Sequence, residues 1–154
     1  MNASLKIYTD GGCSGNPGPG GWAFVMVRQT FQGSQIIAQN KGAEKDTTNN
    51  RMELIAVIEA LRALKTMDDV PRHAAIYTDS QYVQKGITEW IRNWKRNSWR
   101  TSDKKPVKNQ DLWIELDSIA NEFPLQWEWV KGHAGNEYNE LCDAMTQEAI
   151  AEIK

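Results

Sequence analysis

Residues 7–10 read Ile7-Tyr8-Thr9-Asp10, and residues 76–79 read Ile76-Tyr77-Thr78-Asp79. Each run is β-branched and aromatic and ends in an acid, the composition of a short strand that delivers a carboxylate to its end. Side chains alternate along a strand, so in each copy the tyrosine and aspartate share one face and the isoleucine and threonine the other. Laid side by side and parallel, the two strands would set Asp10 beside Asp79. Neighbouring carboxylates repel, more so where water is excluded, and a divalent cation between them removes the repulsion. The chemistry offered is metal binding by oxygen ligands. A four-residue repeat can also arise by chance, and strands of one sheet often share composition.

Three further residues could join such a site. Thr47-Thr48-Asn49-Asn50 opens a helix, and Leu54, Val57, Ile58, Leu61 and Leu64 form its apolar stripe. Glu53 lies one turn before Val57, near the top of that stripe, and should lean toward the sheet. In the alternative, Asn50-x-x-Glu53 is a capping box and the glutamate only satisfies the helix start. His133 sits in the glycine-flanked loop Gly132-His133-Ala134-Gly135; such a histidine is either plain surface or a mobile proton carrier. Asn136 reads as the cap of a last helix carrying Leu141, Cys142, Met145, Ala149 and Ile153, with Asp143 near its start.

The remaining elements must position these groups. Strand one covers about Leu5–Gly11. The run Gly11–Gly21 holds six glycines and two prolines. It reads either as a tight hairpin connection or as a loop whose backbone approaches a phosphate. No Gly-Lys-Ser/Thr follows, so it is not a P-loop. Trp22–Gln29 and Gln35–Gly42 read as strands joined near Gln32-Gly33-Ser34, completing an antiparallel meander. The second repeat lies in a strand over Ala74–Asp79, reached from strand one by a right-handed crossover that allows parallel pairing. A helix starts at Ser80-Gln81 and runs to about Ile87. Another covers Asn109–Phe123 and stops before Pro124. Leu125–Lys131 alternates as a final strand. The fold expected is α/β, with acids at the C-terminal ends of parallel strands, where such sheets place their sites.

Composition sets bounds. The chain has 154 residues, 40% hydrophobic and 25% charged, ordinary for a globular protein and enough for one domain. No apolar run approaches the 18 residues of a membrane span. The N-terminus, Met1-Asn2-Ala3-Ser4-Leu5-Lys6, lacks an apolar core, so no secretory signal is expected. Cys13 and Cys142 lack zinc-like spacing and are expected as thiols in a cytoplasmic protein, with a disulfide between them as the alternative. Net charge is −2, so overall basicity does not point to nucleic acid. Distribution does. Residues 92–108 carry Arg92, Lys95, Arg96, Arg100, Lys104, Lys105 and Lys108 against Asp103 alone. That stretch is +6 and the remainder −8. Trp90, Trp94 and Trp99 interleave the cations. Cations offer phosphate contacts and indoles offer stacking platforms. Packing of Trp90 and Trp94 onto the body is the competing role.

Four stretches, in order, resemble one family. Asp10-Gly11-Gly12-Cys13-Ser14-Gly15-Asn16-Pro17-Gly18-Pro19-Gly20-Gly21, Thr48-Asn49-Asn50-Arg51-Met52-Glu53-Leu54, Tyr77-Thr78-Asp79-Ser80-Gln81-Tyr82-Val83 and Trp127-Glu128-Trp129-Val130-Lys131-Gly132-His133-Ala134-Gly135, with Asn139 and Cys142-Asp143, are similar to the signatures of bacterial ribonuclease HI. The resemblance implies a single ribonuclease H-like domain over 1–154, with residues 90–108 as its basic protrusion. It implies a five-stranded mixed sheet, an antiparallel meander followed by parallel strands, flanked by helices. It implies that Asp10, Glu53, Asp79 and Asp143 hold two Mg²⁺, or Mn²⁺, and that His133 assists proton transfer or product release. The implied reaction is endonucleolytic hydrolysis of the RNA strand of an RNA–DNA hybrid, with little sequence specificity, leaving 3′-hydroxyl and 5′-phosphate ends. Backbone and side chains near Cys13, Asn16, Asn49, Asn50 and Gln81 would meet the RNA, and Gly11 and Gly12 would also contact the nucleic acid. Thr48, Trp90, Trp94, Lys95, Arg96, Trp99, Lys104, Lys105 and Lys108 would meet the DNA strand. A cytoplasmic monomer with no obligate protein partner and no membrane contact is expected. Leu141 and Ala144 depart from the family pattern, which commonly has charge there, and Tyr138 varies the histidine loop. A hybrid-binding module without catalysis, and a different polynucleotidyl transferase on the same fold, are the alternatives.

Overall fold

The computed structural model describes residues 4–71, 73–130 and 136–154. Five strands form one sheet: β1 (Ser4–Cys13), β2 (Gly18–Thr30), β3 (Gly33–Thr47), β4 (Ala74–Thr78) and β5 (Leu125–Trp129), in the order β3-β2-β1-β4-β5. β1 to β3 pair antiparallel, and β1, β4 and β5 pair parallel. The two repeats lie in register, Ile7 beside Ile76 and Tyr8 beside Tyr77.

The meander is longer than the glycine pattern implies. β1 runs to Cys13 and β2 starts at Gly18, with Gly11 opposite Trp22 and Gly12 opposite Gly21. Most of the expected turn is therefore strand. Several of its glycines serve close packing: a Cβ on Gly11 would lie 2.5 Å from Glu53 N, and one on Gly21 would lie 2.8 Å from Thr146 O.

Helix α1 (Asn49–Lys65) packs on β1 and β2. Its apolar stripe joins Leu5, Ile7, Phe24, Met26 and Ile76 in the larger core. Helix α4 (Gln110–Ala120) lies against α1 and brings Trp113 and Leu116 into that core, both fully buried. Helix α5 (Glu137–Ile153) covers the opposite sheet face, where Tyr8, Ala23, Val25, Val27, Cys142 and Met145 form the smaller core.

The helix after β4 does not end near Ile87. α2 (Gln81–Lys85) passes through a π turn (Gly86–Trp90) into α3 (Ile91–Arg96). Gly86 lies against the Trp113 ring with no room for a side chain. α4 starts one residue later than expected because Asn109 sits in the left-handed region at φ 60°. It ends at Ala120 rather than Phe123. Among the described residues, no helix is long and apolar enough to cross a membrane.

Candidate active site

Asp10 stands near the end of β1 and Asp79 one residue beyond β4, so the parallel pairing brings both to one end of the sheet. Glu53 comes from the second turn of α1. The capping-box alternative fails, since Thr48 is the cap and its Oγ1 accepts from Arg51 N at 3.3 Å. Glu53 is instead driven inward by its place on the apolar stripe. Gly11 has no side chain, and this lets the α1 backbone at Met52–Glu53 close onto β1.

Asp10, Glu53 and Asp79 each offer a carboxylate oxygen, and these oxygens lie within 4.8 Å of one another. Asp10 and Glu53 are buried, at 6% and 8% exposure. Burial holds the Glu53 carboxyl well above its ordinary pKa, and the charges of Asp10 and Asp79 push the same way. The Gly11 N–H and the Ser80 hydroxyl offset part of this by favouring the ionised form. Glu53 Oε1 is buried with no hydrogen-bond partner. Three acids with oxygen donors only, crowded together, with one buried oxygen left over, fit a hard divalent cation such as Mg²⁺ or Mn²⁺.

Asp143 is half-buried on α5 and lies outside that close group. It directly follows Cys142, whose Sγ donates to Tyr8 O at 3.2 Å, two residues before Asp10. His133 lies outside the described residues.

The other expected residues fall into two sets. Around the acids, Cys13 Sγ donates to Gly18 O (3.2 Å) and Thr47 O (3.3 Å), and Asn16 Oδ1 accepts from Asn49 N at 3.2 Å. These bonds tie the 14–17 turn to the start of α1. Asn50 is half-buried there, Gln81 is exposed at the start of α2, and the Thr48 hydroxyl is engaged in capping.

The second set lies on the basic segment. Trp90 meets Tyr82 (5.8 Å between centroids) and Trp94 (5.7 Å), and Trp94 meets Trp113 at 5.4 Å. Both are half-buried, so packing is a real part of their role. Lys95 pairs with Asp117 at 3.2 Å, which ties that cation to α4. Trp99 packs against the main core, and its carbonyl accepts from Val107 N and Gln110 Nε2. Arg96, Arg100 and Lys104 line a concavity of about 680 Å³ with Ser98, Thr101 and Ser102. Lys105 and Lys108 are exposed.

Two features escaped the sequence reading. Trp129 Nε1 donates to Asp79 O at 3.2 Å, pinning the backbone that carries one acid. Trp113 Nε1 and Asn109 Nδ2 both donate to Tyr82 Oη, joining α4 to α2. Strand alternation gives Trp129 a face but not its reach past the strand end.

The RNase H family model matches residues 2–151. The chain is 53% identical over 160 residues to a ribonuclease H of Treponema denticola, covering 97% of this chain and 99% of that one. Among solved structures, LC9-RNase H1, a type 1 RNase H with the type 2 active-site motif, superimposes with a TM-score of 0.85 at 31% identity, covering 100% of this chain and 75% of that one. LC11-RNase H1 in complex with an RNA/DNA hybrid superimposes at 0.72 and 24% identity, covering 97% and 99%, a likeness of fold.

Proposed function

This chain belongs to the RNase H family, and from that premise we propose that it is an endonuclease hydrolysing the RNA strand of RNA–DNA hybrids, leaving 3′-hydroxyl and 5′-phosphate ends. The observation that carries the reading is the meeting of Asp10, Glu53 and Asp79 within 4.8 Å at the end of two parallel strands. Asp143, approaching from the opposite sheet face on α5, is the proposed fourth ligand. Together the four carboxylates would hold two Mg²⁺ or Mn²⁺ ions. When bound, such ions make water nucleophilic and offset charge on the leaving oxygen.

The chain's own residues do the rest. Recognition of the strand to be cut requires a reading of the 2′-hydroxyl, the group that separates RNA from DNA locally. Gly11, Gly12, Cys13, Asn16, Asn49, Asn50 and Gln81 are proposed for that strand, and the Asn16–Asn49 bond supports it by holding two of them together. Thr48, Trp90, Trp94, Lys95, Arg96, Trp99, Lys104, Lys105 and Lys108 are proposed for the DNA strand. Contacts of this kind go to backbone and sugar, so little sequence preference is expected. His133 is proposed to carry a proton during turnover. Residues 1–154 are proposed to form one domain that acts as a cytoplasmic monomer.

The test is Asp10→Asn. Cleavage of hybrid with Mg²⁺ should fall by at least about 10²-fold while hybrid binding is retained. Full activity in this variant would overturn the assignment.

A further inference from the structure

The tyrosines of the repeat have no part in the chemistry above, yet they form a structure of their own. Tyr8 and Tyr77 are register partners on adjacent parallel strands, and their rings stack with centroids 4.8 Å apart and an interplanar angle of 16°. Tyr138, near the start of α5, adds a third ring, 5.3 Å from Tyr8. Tyr8 is 3% exposed, so the stack is part of the packed layer between sheet and α5.

Two of the three, Tyr8 and Tyr138, are also linked to the polar groups that set the start of α5. Asn136 caps the helix, its Oδ1 accepting from Tyr138 N (2.9 Å) and Asn139 N (3.1 Å). One turn further along, Cys142 Sγ donates to Tyr8 O at 3.2 Å. Tyr8 is therefore held at its ring and at its carbonyl by residues of α5. Two residues beyond Tyr8 is Asp10, two beyond Tyr77 is Asp79, and next to Cys142 is Asp143.

Resting on the function proposed above, we propose that the Tyr8–Tyr77–Tyr138 stack is a positioning device that sets the distance of Asp143 from Asp10 and Asp79. The β1–β4 ladder, whose last pair is Tyr8 and Tyr77, brings Asp10 and Asp79 to the same end of the sheet two residues further on. Asp143 sits on a separate helix that crosses the other face, and it lies outside the close acid group. Its approach is governed by how the first turns of α5 seat on β1, one of the strands that helix packs against. Tyr8 and Tyr77 are stacked and Tyr138 meets Tyr8 at a tilt of 35°, and aromatic pairs have preferred geometries that resist sliding more than aliphatic contacts do.

The test compares Tyr138→Ala, Tyr138→Phe and Tyr8→Phe at a temperature well below unfolding. Two readouts are taken: Mn²⁺ binding to the free protein by calorimetry, and steady-state cleavage of hybrid against Mg²⁺ concentration. Tyr138→Ala should weaken Mn²⁺ binding, raise the Mg²⁺ concentration for half-maximal rate and lower kcat, each by about two- to tenfold, with KM for hybrid unchanged. Tyr138→Phe should restore the parent values. Tyr8→Phe keeps the ring and should fall between. A lower Tm in Tyr138→Ala with unaltered metal binding and kcat would overturn the proposal and leave the stack as core packing alone. A parent protein that binds Mn²⁺ but cuts no hybrid would instead refute the function on which the proposal rests.

Discussion

Glu53 carries its carboxyl into a place where ionisation is costly, and the cost has a sign that can be measured. Its pKa is raised in the folded protein, by burial first and then by Asp10 and Asp79. A group with a raised folded value contributes stability that is fully present below its unfolded value, near the ordinary 4.5, and is lost as pH rises through the folded value. In EDTA the parent should therefore lose stability with rising pH across that window, and Mg²⁺ should restore part of it. Glu53→Gln should flatten this dependence and raise Tm in EDTA at pH 8, by about 2–4 °C for each kcal/mol of relieved burial. It should also abolish cleavage. Thermal melts of both proteins with and without Mg²⁺ check this, and a Glu53→Gln protein less stable than its parent in EDTA would contradict it. Gly11→Ala tests the same site from the backbone. The added methyl meets Glu53 N and Met52 C at 2.5 Å, neither of which can swing aside, so both Tm and kcat should fall.

At the scale of elements, the segment from α2 to α4 holds a prediction that separates packing from binding. Trp113 is fully buried and takes ring contacts from Tyr82 and Trp94. Trp113→Ala should cost about 3–5 kcal/mol, read from denaturant melts, with KM for hybrid little changed in the surviving folded protein. Trp90→Ala and Trp94→Ala should lower stability and raise KM together, since each side chain is packed against its neighbours and yet partly exposed. A stability loss alone would make both purely structural. This segment was also the least legible in the sequence. Apolar period identified α1, and the Asn136 and Ser80 caps were readable from local chemistry. A π turn has no such pattern, so the continuation through Gly86–Trp90 into α3 was missed. The glycine-rich run misled for another reason. Glycine is used both for turns and for close approach, and only the tertiary partners, Met52–Glu53 and Thr146, show which applies. The acids Asp10 and Asp79 were legible because strand alternation and the crossover rule together place them side by side. The reach of Trp129 to Asp79 and the third ring from Tyr138 depend on packing that no local pattern encodes.

For the molecule as a whole, charge is divided between an acidic end of the sheet and a basic segment, with a net of only −2. Affinity for hybrid should therefore depend on salt through a few cations. Lys104→Ala and Lys105→Ala should each reduce the slope of log affinity against log salt by about 1, leaving kcat unchanged. Lys41→Ala is the control: that amine is held by Glu148 and by Glu152 at 2.9 Å across β3 and α5, and its loss should not alter the slope. The joining of the two ends in one function is tested most directly by a single labelled RNA strand presented alone, in duplex RNA and paired with DNA, each with Mg²⁺ and with EDTA. Cutting of the DNA-paired strand alone, and only with Mg²⁺, is the predicted result. Binding of the hybrid without cutting under either condition, or equal cutting of all three RNAs, would contradict it.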